Sequence, residues 1–258
     1  MKTLTVKRTN FLFVALIVAF STLLSNKIHA QESEKGFILS MTTFTIKPGQ
    51  DNQFKEGIKA WKACYLENGG EWTWNIWKRI QGKGNVYILS SSMSNWAEMD
   101  ETDESGKNCR MLARDLINPH VESAESNFAR FMPDYSKAYP NPDPVLWVSS
   151  WQVNDWKKFM EGVKEINDAV TKVEGSPRGF WYSVIGGSKD TEDIFVATPF
   201  KNFAQLDVDR DNVWTIYENA HGKEKRDQMQ AEMRDVVEES WAYLYMRDED
   251  LSHNPPAK

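Results

Sequence analysis

The chain has 258 residues, of which 41% are hydrophobic, 31 are Lys or Arg and 37 are Asp or Glu. This composition excludes intrinsic disorder, a collagen-like repeat and a small disulfide-rich scaffold. Four of the basic residues and none of the acidic ones lie in the first 30 positions, which leaves 27 basic against 37 acidic side chains and a net charge of −10. Such a chain repels phosphate backbones and anionic lipid, so we expect neither nucleic acid nor a membrane surface as its partner.

The first 30 residues have the layout of a secretory signal peptide. A polar, basic segment precedes an apolar run from Phe11 to Ser25, and polar residues follow as far as Ala30. The apolar run is shorter than the roughly 20 residues that span a bilayer. We predict a signal peptide at 1–30 and an exported, periplasmic or secreted, soluble protein. An uncleaved anchor is the alternative, because Ile28 is bulkier than the residue usual at that position.

The next hundred residues predict a strand, a helix, two strands, a second helical region and a last strand. Gly36 to Ile46 is rich in β-branched and aromatic residues and predicts the opening strand. Phe54, Ile58, Trp61 and Tyr65 follow at helical spacing. The helix stops at the glycines that follow, and Trp72 to Ile80 and Asn85 to Ser92 then predict two paired strands.

The second half of the chain predicts the same order. Val145 to Val153 is a strand, and a helical stripe that starts at Phe159 ends before Ser176-Pro177. Strands at Gly179 to Ile185 and Asp193 to Phe200 follow. A helical region then leads to a last strand, which is clearest at Trp241 to Met246.

The two halves also share short sequence matches. Three segments recur in the same order, with offsets that grow from 105 to 114. They are Phe54–Lys59 with Phe159–Lys164, Asn95–Asp100 with Asn202–Asp207, and Glu125-Ser126 with Glu239-Ser240. We therefore predict two βαββαβ units at 32–139 and 144–250, joined by a proline-rich linker and followed by a flexible tail at 251–258.

This repeat resembles the dimeric α/β-barrel superfamily, which includes proteins like the antibiotic-biosynthesis monooxygenases. The resemblance rests on the element order and on the Asn-Trp/Phe-Ala-x-Met/Leu-Asp motif after the third strand. It implies an α+β fold in which two tandem ferredoxin-like units pack sheet against sheet and form an α/β barrel within one chain. Some members act on haem through a histidine on the second helix of the unit, and no histidine here matches their motif.

Eleven tryptophans are the most unusual feature of the composition. An aromatic-lined pocket for a flat apolar ligand is one interpretation, and a packed core between two sheets is the other. The candidate ligand-binding residues are Trp74, Trp147, Trp151, Trp181 and Tyr243.

Titratable candidates are few. His120 follows Asn118-Pro119, which predicts the first turn of a helix, and His221 lies in a polar stretch. These two and Arg130 are the catalytic candidates, with a surface position as the alternative for each histidine. His253 is expected to be solvated in the tail. Asp207 to Glu218 partly matches a calcium loop, but Asn212 replaces the usual glycine, so we predict a solvated acidic loop and neither a metal nor a cofactor.

Cys64 and Cys109 are the only cysteines. In an exported protein such a pair is more often bridged than free, and two small buried hydrophobic residues are the equal alternative. Both fall on helices of the first unit, which lie side by side on one face of a βαββαβ sheet, so we predict a disulfide.

Two functions remain open from the sequence. The first is a binding protein that holds a small hydrophobic or aromatic ligand between its two sheets, with homo-oligomerisation possible. The second is a cofactor-independent oxygenase or isomerase.

Overall fold

The computed structural model describes residues 36–138 and 143–255. The signal peptide predicted at 1–30 and the proline-rich linker at 139–142 lie outside these residues. The strands are β1 Ile38–Ile46, β2 Asn75–Arg79, β3 Asn85–Met93, β4 Val121–Phe131, β5 Val145–Val153, β6 Phe180–Ile185, β7 Ile194–Phe200 and β8 Val237–Arg247. The α-helices are α1 Asp51–Glu67, α2 Glu104–Leu112, α3 Trp156–Glu174, α4 Val213–His221 and α5 Lys223–Val236.

The eight strands close into an antiparallel barrel. Their order around the barrel is β1-β3-β2-β8-β5-β7-β6-β4, and β4 also pairs with β1. Strands of the two halves meet at two seams, where β2 pairs with β8 and β4 pairs with β6. Closure leaves no free sheet edge and turns one face of every strand toward a common interior.

The barrel interior is a hydrophobic core with many rings. Side chains at alternate positions of a strand lie on the same face, so every second residue of each strand points into the barrel. The buried members are Trp77, Ala129, Phe131, Leu146, Phe180, Tyr182, Phe195, Ala197 and Tyr245. Strands of both halves therefore bury aromatic side chains in one common interior.

The helices cover the outer face of the barrel. Phe54, Ile58 and Tyr65 of α1 pack with Trp74, Tyr87 and other residues of the first half. In the second half, α3 begins at the side-chain cap of Asp155, whose carboxylate accepts from the Lys158 amide, and ends at the left-handed Gly175. Its buried stripe includes Phe159 and Val163.

A short helical turn at His120 precedes β4. Asn118–His120 is a single 3-10 turn, and the extended strand begins at the next residue, Val121. The proline does begin a helical turn, but the chain cannot continue it because β4 must pair with β1 along its whole length. His120 thus lies in a helical turn that begins at the proline, as the sequence predicts, although the turn is of the 3-10 type and does not extend further.

The first residues of the tail predicted at 251–258 pack against the first half of the chain. Residues 248–253, which we call the C-terminal strap, lie along β2. Leu251 is fully buried in the core of the first half, and the backbone of His253 pairs with that of Trp74 in both directions, at 2.8 and 2.9 Å. His253 is half-buried, and desolvation followed by the charge of Lys62 lowers its pKa.

Candidate functional site

The barrel encloses a cavity of about 340 Å³. Its walls come from seven of the eight strands and from the loop between β6 and β7. The apolar and aromatic lining residues are Leu39, Met41, Trp77, Val86, Ile88, Leu146, Val148, Phe180, Tyr182, Phe195, Ala197, Trp241, Tyr243 and Tyr245. The rings do not fill the barrel, so the interior is a pocket as well as a core.

Arg79 is the cationic residue of this lining. It lies at the end of β2, and its guanidinium stacks over the ring of Tyr243 at 4.5 Å. Its Nη2 donates to the Lys83 carbonyl in the β2–β3 turn, whereas its Nε is buried without a hydrogen-bond acceptor. The guanidinium is therefore held by an aromatic ring and one carbonyl, not by a carboxylate.

Gly82 brings the β2–β3 turn close to this pair. Its φ is +100°, and a Cβ built there lies 2.9 Å from Cε1 of Tyr243 and 3.4 Å from Cζ of Arg79. Only a glycine permits both this backbone conformation and this approach.

We expect Gly82→Ala to lower the free energy of unfolding and to disturb the stacking of Arg79 on Tyr243. Gly49→Ala is the matched control, because Gly49 has a φ of +76° and a Cβ placed on it would have no atom within 4 Å. Each variant costs about 1 kcal/mol from backbone strain, and Gly82→Ala costs a further 1 kcal/mol or so from the collision. Equal midpoints in urea for the two variants would contradict the close approach.

Glu192 supplies a carboxyl group to the same cavity. It precedes β7 and is half-buried, and its carboxylate has no ion pair with any described residue. Desolvation raises its pKa above the ordinary 4.5, a hydrogen bond from its own backbone amide opposes the rise, and the charge of Glu125 adds to it. Glu125 itself accepts a hydrogen bond from Ser188 in the β6–β7 loop, at 3.4 Å.

The raised pKa of Glu192 makes the stability of the protein depend on pH. The folded state holds this proton more tightly than the unfolded state, so the unfolding free energy falls as pH rises through the folded-state pKa. We expect Glu192→Gln to be more stable than the parent protein at neutral pH and to lose that advantage below about pH 4.5. Denaturant melts across this range measure the difference. Glu238→Gln, an exposed substitution on β8, should show no such crossover.

Three further polar groups line the cavity without a hydrogen-bond partner among the described residues. Ser150 is 4% exposed and Tyr245 is 7% exposed, and neither hydroxyl bonds to another described residue. Burial raises the pKa of Tyr245, which keeps the phenol protonated. The Oδ1 atom of Asn75 is buried without a donor. Unpaired buried polar groups are costly, and a bound molecule can satisfy them.

The predicted ligand-binding residues do not meet in one place. Tyr243 lines the barrel cavity. Trp74 is buried under α1, where its Nε1 donates to the Leu251 carbonyl at 2.9 Å. Trp147 is 40% exposed on the outer face of β5.

Trp151 and Trp181 lie in a second cavity on the outer face of the barrel. Their rings stack at 5.6 Å and form the floor of a cleft of about 800 Å³ beneath α3 and α5. Trp214 and Met233 line its sides. This cleft lies between sheet and helices, so it is not the space between the sheets that the sequence analysis predicts.

None of the three catalytic candidates reaches either cavity. The Nδ1 atom of His120 hydrogen-bonds to the Gln50 side chain at 2.8 Å, outside the barrel. His221 ends α4 and packs on the Tyr217 ring. Arg130 occupies an outward position of β4, since its neighbour Ala129 is in the interior. The lining side chains of the two cavities include no histidine, so they do not offer the haem ligand that the resemblance implies for some members.

In the acidic segment at Asp207 to Glu218, Asn212 lies directly before α4. The side chain of Asn212 accepts from the amides of Trp214 and Thr215 and so caps α4. Within residues 36–138 and 143–255, no group of three or more His, Cys, Asp or Glu residues is placed to hold a metal ion.

Cys64 and Cys109 form a disulfide in the structure. It joins α1 to α2 across a Cα separation of 6.0 Å, and Cys109 is fully buried. The bond lies on the outer face of the first half, away from both cavities.

The sequence analysis misses Arg79, Glu192, Ser150 and Asn75. Each is an isolated polar residue near a turn or strand, and only closure of the barrel brings them around one space. The one available signal is alternation, since Asn75 and Arg79 lie two positions before and two positions after Trp77, on the same face of β2.

Comparison with solved structures supports this fold. An anthrone oxidase-like protein has 10% identity and a TM-score of 0.52, over 84% of this chain and 93% of that one. A candidate monooxygenase from Fusobacterium nucleatum has 12% identity and a TM-score of 0.51, over 83% of this chain and 93% of that one. The chain therefore has the α+β, dimeric α/β-barrel fold, and likeness at this identity extends to the fold alone.

No protein-family model and no curated protein matches the sequence. No helix in the part of the chain that the structure describes is long and apolar enough to cross a membrane.

Proposed function

We propose that the barrel cavity binds a small, largely aromatic molecule. The observation that carries the proposal is a cavity of about 340 Å³ inside the barrel, walled by rings and lined by Asn75 and Arg79, whose Oδ1 and Nε atoms are buried without a hydrogen-bond partner among the described residues. A cavity filled by its own side chains would need no ligand, whereas polar groups of Asn75, Ser150 and Tyr245 line this one without a hydrogen-bond partner in the part of the chain that the structure describes.

Native mass spectrometry of protein from its producing host tests this proposal. We expect a non-covalent adduct that is released on unfolding. Val148→Phe and Ala197→Val, which each add volume to the lining, should reduce the adduct while circular dichroism stays unchanged. Val173→Phe, on the exposed face of α3, is the control. If both of the variants that fill the cavity retain the adduct, the ligand binds outside the barrel.

A second candidate function is a cofactor-independent oxygenase or isomerase. The favouring observation is Glu192, a half-buried carboxyl with a raised pKa in the same cavity as the Tyr245 phenol and the Arg79 guanidinium. A carboxylate of raised pKa is a better proton acceptor, and the two donors could stabilise negative charge on a bound oxygen atom. If the ligand is turned over, Glu192→Gln should lower kcat with little change in KM. Loss of affinity without loss of kcat would favour binding alone.

We also propose that the chain consists of two tandem ferredoxin-like units, 32–139 and 144–250. The support is a similar contact between the two halves that occurs twice, once in each direction. Ser136, after β4, accepts from the Trp181 amide at 2.8 Å and donates to the Met132 carbonyl at 2.8 Å. Ser252, after β8, accepts from the Ile76 amide at 2.9 Å and donates to the Asp248 carbonyl at 2.7 Å. In each case a serine that follows the last strand of one half accepts a hydrogen bond from the backbone amide of a strand in the other half.

Export completes the proposal and rests on the signal-peptide layout of the first 30 residues. Sequencing the N-terminus of protein recovered from the cell exterior or periplasm should give Gln31 as the first residue. A start at Met1 would identify the apolar segment as a retained anchor. Homo-oligomerisation stays a prediction, which light scattering on the purified protein can check.

A further inference from the structure

The barrel cavity has an unusual combination of rings and unneutralised carboxyl groups. Trp241, Tyr243 and Tyr245 line it together with Asp190 and Glu192. Glu125 lies near, through its hydrogen bond with Ser188. Two carboxyl groups therefore line an aromatic cavity, and a third interacts with the loop that carries them.

Within residues 36–138 and 143–255, the nearby cations do not neutralise these carboxyl groups. Arg79 is occupied by the Tyr243 ring and the Lys83 carbonyl, and no ion pair joins it to Glu192 within the described residues. Lys189 lies 4.0 Å from Asp190, and both of those side chains are more than four-fifths exposed, so their pairing is weak. Glu192 thus remains a partly desolvated carboxyl that is subject to the negative charge of Glu125 and has no ion pair with any cation that the structure describes.

We propose that the ligand of the barrel cavity is a cation, a protonated amine attached to an aromatic or apolar body. The ammonium group would pair with Glu192 and Asp190, and the body would lie among the rings. An ammonium group is also stabilised by aromatic faces, which this lining supplies. The Ser150 hydroxyl, buried and without a partner among the described residues, offers one more acceptor. This inference rests on the proposed binding function and names the chemical class of its ligand.

Three probes with one ring system test the charge of the ligand. They are 2-phenylethylamine, the neutral 2-phenylethanol and the anionic phenylacetate, each titrated into the purified protein by calorimetry at pH 7.5. A charge-assisted contact should make the amine bind about tenfold more tightly than the alcohol, with the acid weakest. Equal affinity for amine and alcohol, or tightest binding of the acid, would overturn the cationic assignment and leave the binding function standing. Binding of none of the three, with no adduct in native mass spectra, would overturn the binding function itself.

Substitutions test which residues cause the preference for the amine over the alcohol. Glu192→Gln should reduce the ratio of amine to alcohol affinity to near one and leave alcohol affinity unchanged, and Glu238→Gln should preserve the ratio. Arg79→Gln removes the lining cation and should raise amine affinity. A fall in amine affinity for Arg79→Gln, in a protein with unchanged circular dichroism, would contradict the proposal, because an anionic or oxygen-acceptor ligand is the kind that depends on a guanidinium.

Discussion

Leu251→Ala is expected to lower the free energy of unfolding by about 2–5 kcal/mol, the usual cost of removing a fully buried leucine side chain. Leu251 has no exposed surface, although it lies only seven residues from the C-terminus. Its side chain belongs to the same core cluster as Phe54, Tyr65 and Trp74. Truncation to alanine leaves a cavity that these large rings cannot close without leaving their packed positions.

The backbone around Leu251 keeps that cavity from collapsing. The Leu251 carbonyl accepts from Trp74 Nε1 at 2.9 Å. The Ser252 hydroxyl accepts from the Ile76 amide of β2, and the backbone of His253 pairs with that of Trp74, the residue before β2. Lys62 of α1 donates to the carbonyls of Asp250 and Ser252. The strap is therefore fixed at several points, and its backbone cannot follow a shortened side chain inward.

Urea denaturation of Leu251→Ala beside Leu66→Ala measures this effect. Leu66 is 38% exposed at the end of α1, so its truncation should cost well under 1 kcal/mol. Similar midpoints for the two variants would show that the strap does not contribute to the core. Deletion of residues 249–258 should cost at least as much as Leu251→Ala, because it also leaves the Trp74 and Ile76 amides without partners.

The strap shows where sequence reasoning reaches its limit. Asp248 to Asn254 is polar apart from one leucine, and it precedes two prolines, so its composition predicts a solvated tail. The contacts that fix it are mainly hydrogen bonds to the backbone of Trp74 and β2, and backbone groups of this kind are present in any sequence. A single apolar residue at a single position carries the only side-chain signal.

The helices and most strands, unlike the C-terminal strap, can be predicted from the sequence. α1 and α3 bury one stripe each, and a stripe of large apolar residues at helical spacing is visible without any structure. β5 begins and ends at the predicted residues; Leu146 lies in the barrel core, and Trp151 and Val153 pack on the outer side against the core that contains Phe159 of α3. Burial of this kind leaves a clear pattern in the residue types.

β4 falls between these cases. Its pairing register places Glu125 beside Thr43 and Asn127 beside Met41, on the face that lines the barrel. Polar residues thus occupy positions where a strand that packs only against core would carry apolar ones. The missing alternation hides the start of the strand.

The disulfide follows from an argument about helices, and it gives the last large effect. In the structure α1 and α2 lie against each other, and Cys64 and Cys109 are 45 residues apart in sequence. A cross-link over that length removes many conformations from the unfolded chain. We expect the Cys64→Ala, Cys109→Ala double variant to lose about 2–4 kcal/mol of unfolding free energy.

Both residues must be replaced together in this test. A single alanine would leave one thiol beside the Asn68 amide, which lies 3.7 and 3.8 Å from the two sulfur atoms, and the lone thiol could form disulfides between molecules. Guanidinium melts of the parent protein with and without a reductant provide the second comparison, since reduction and double replacement should shift the midpoint alike. Two thiols titrated in the unfolded, unreduced exported protein would show that the bond does not form. Because the bond lies outside the barrel, the double variant should still bind the cavity ligand at temperatures where it remains folded.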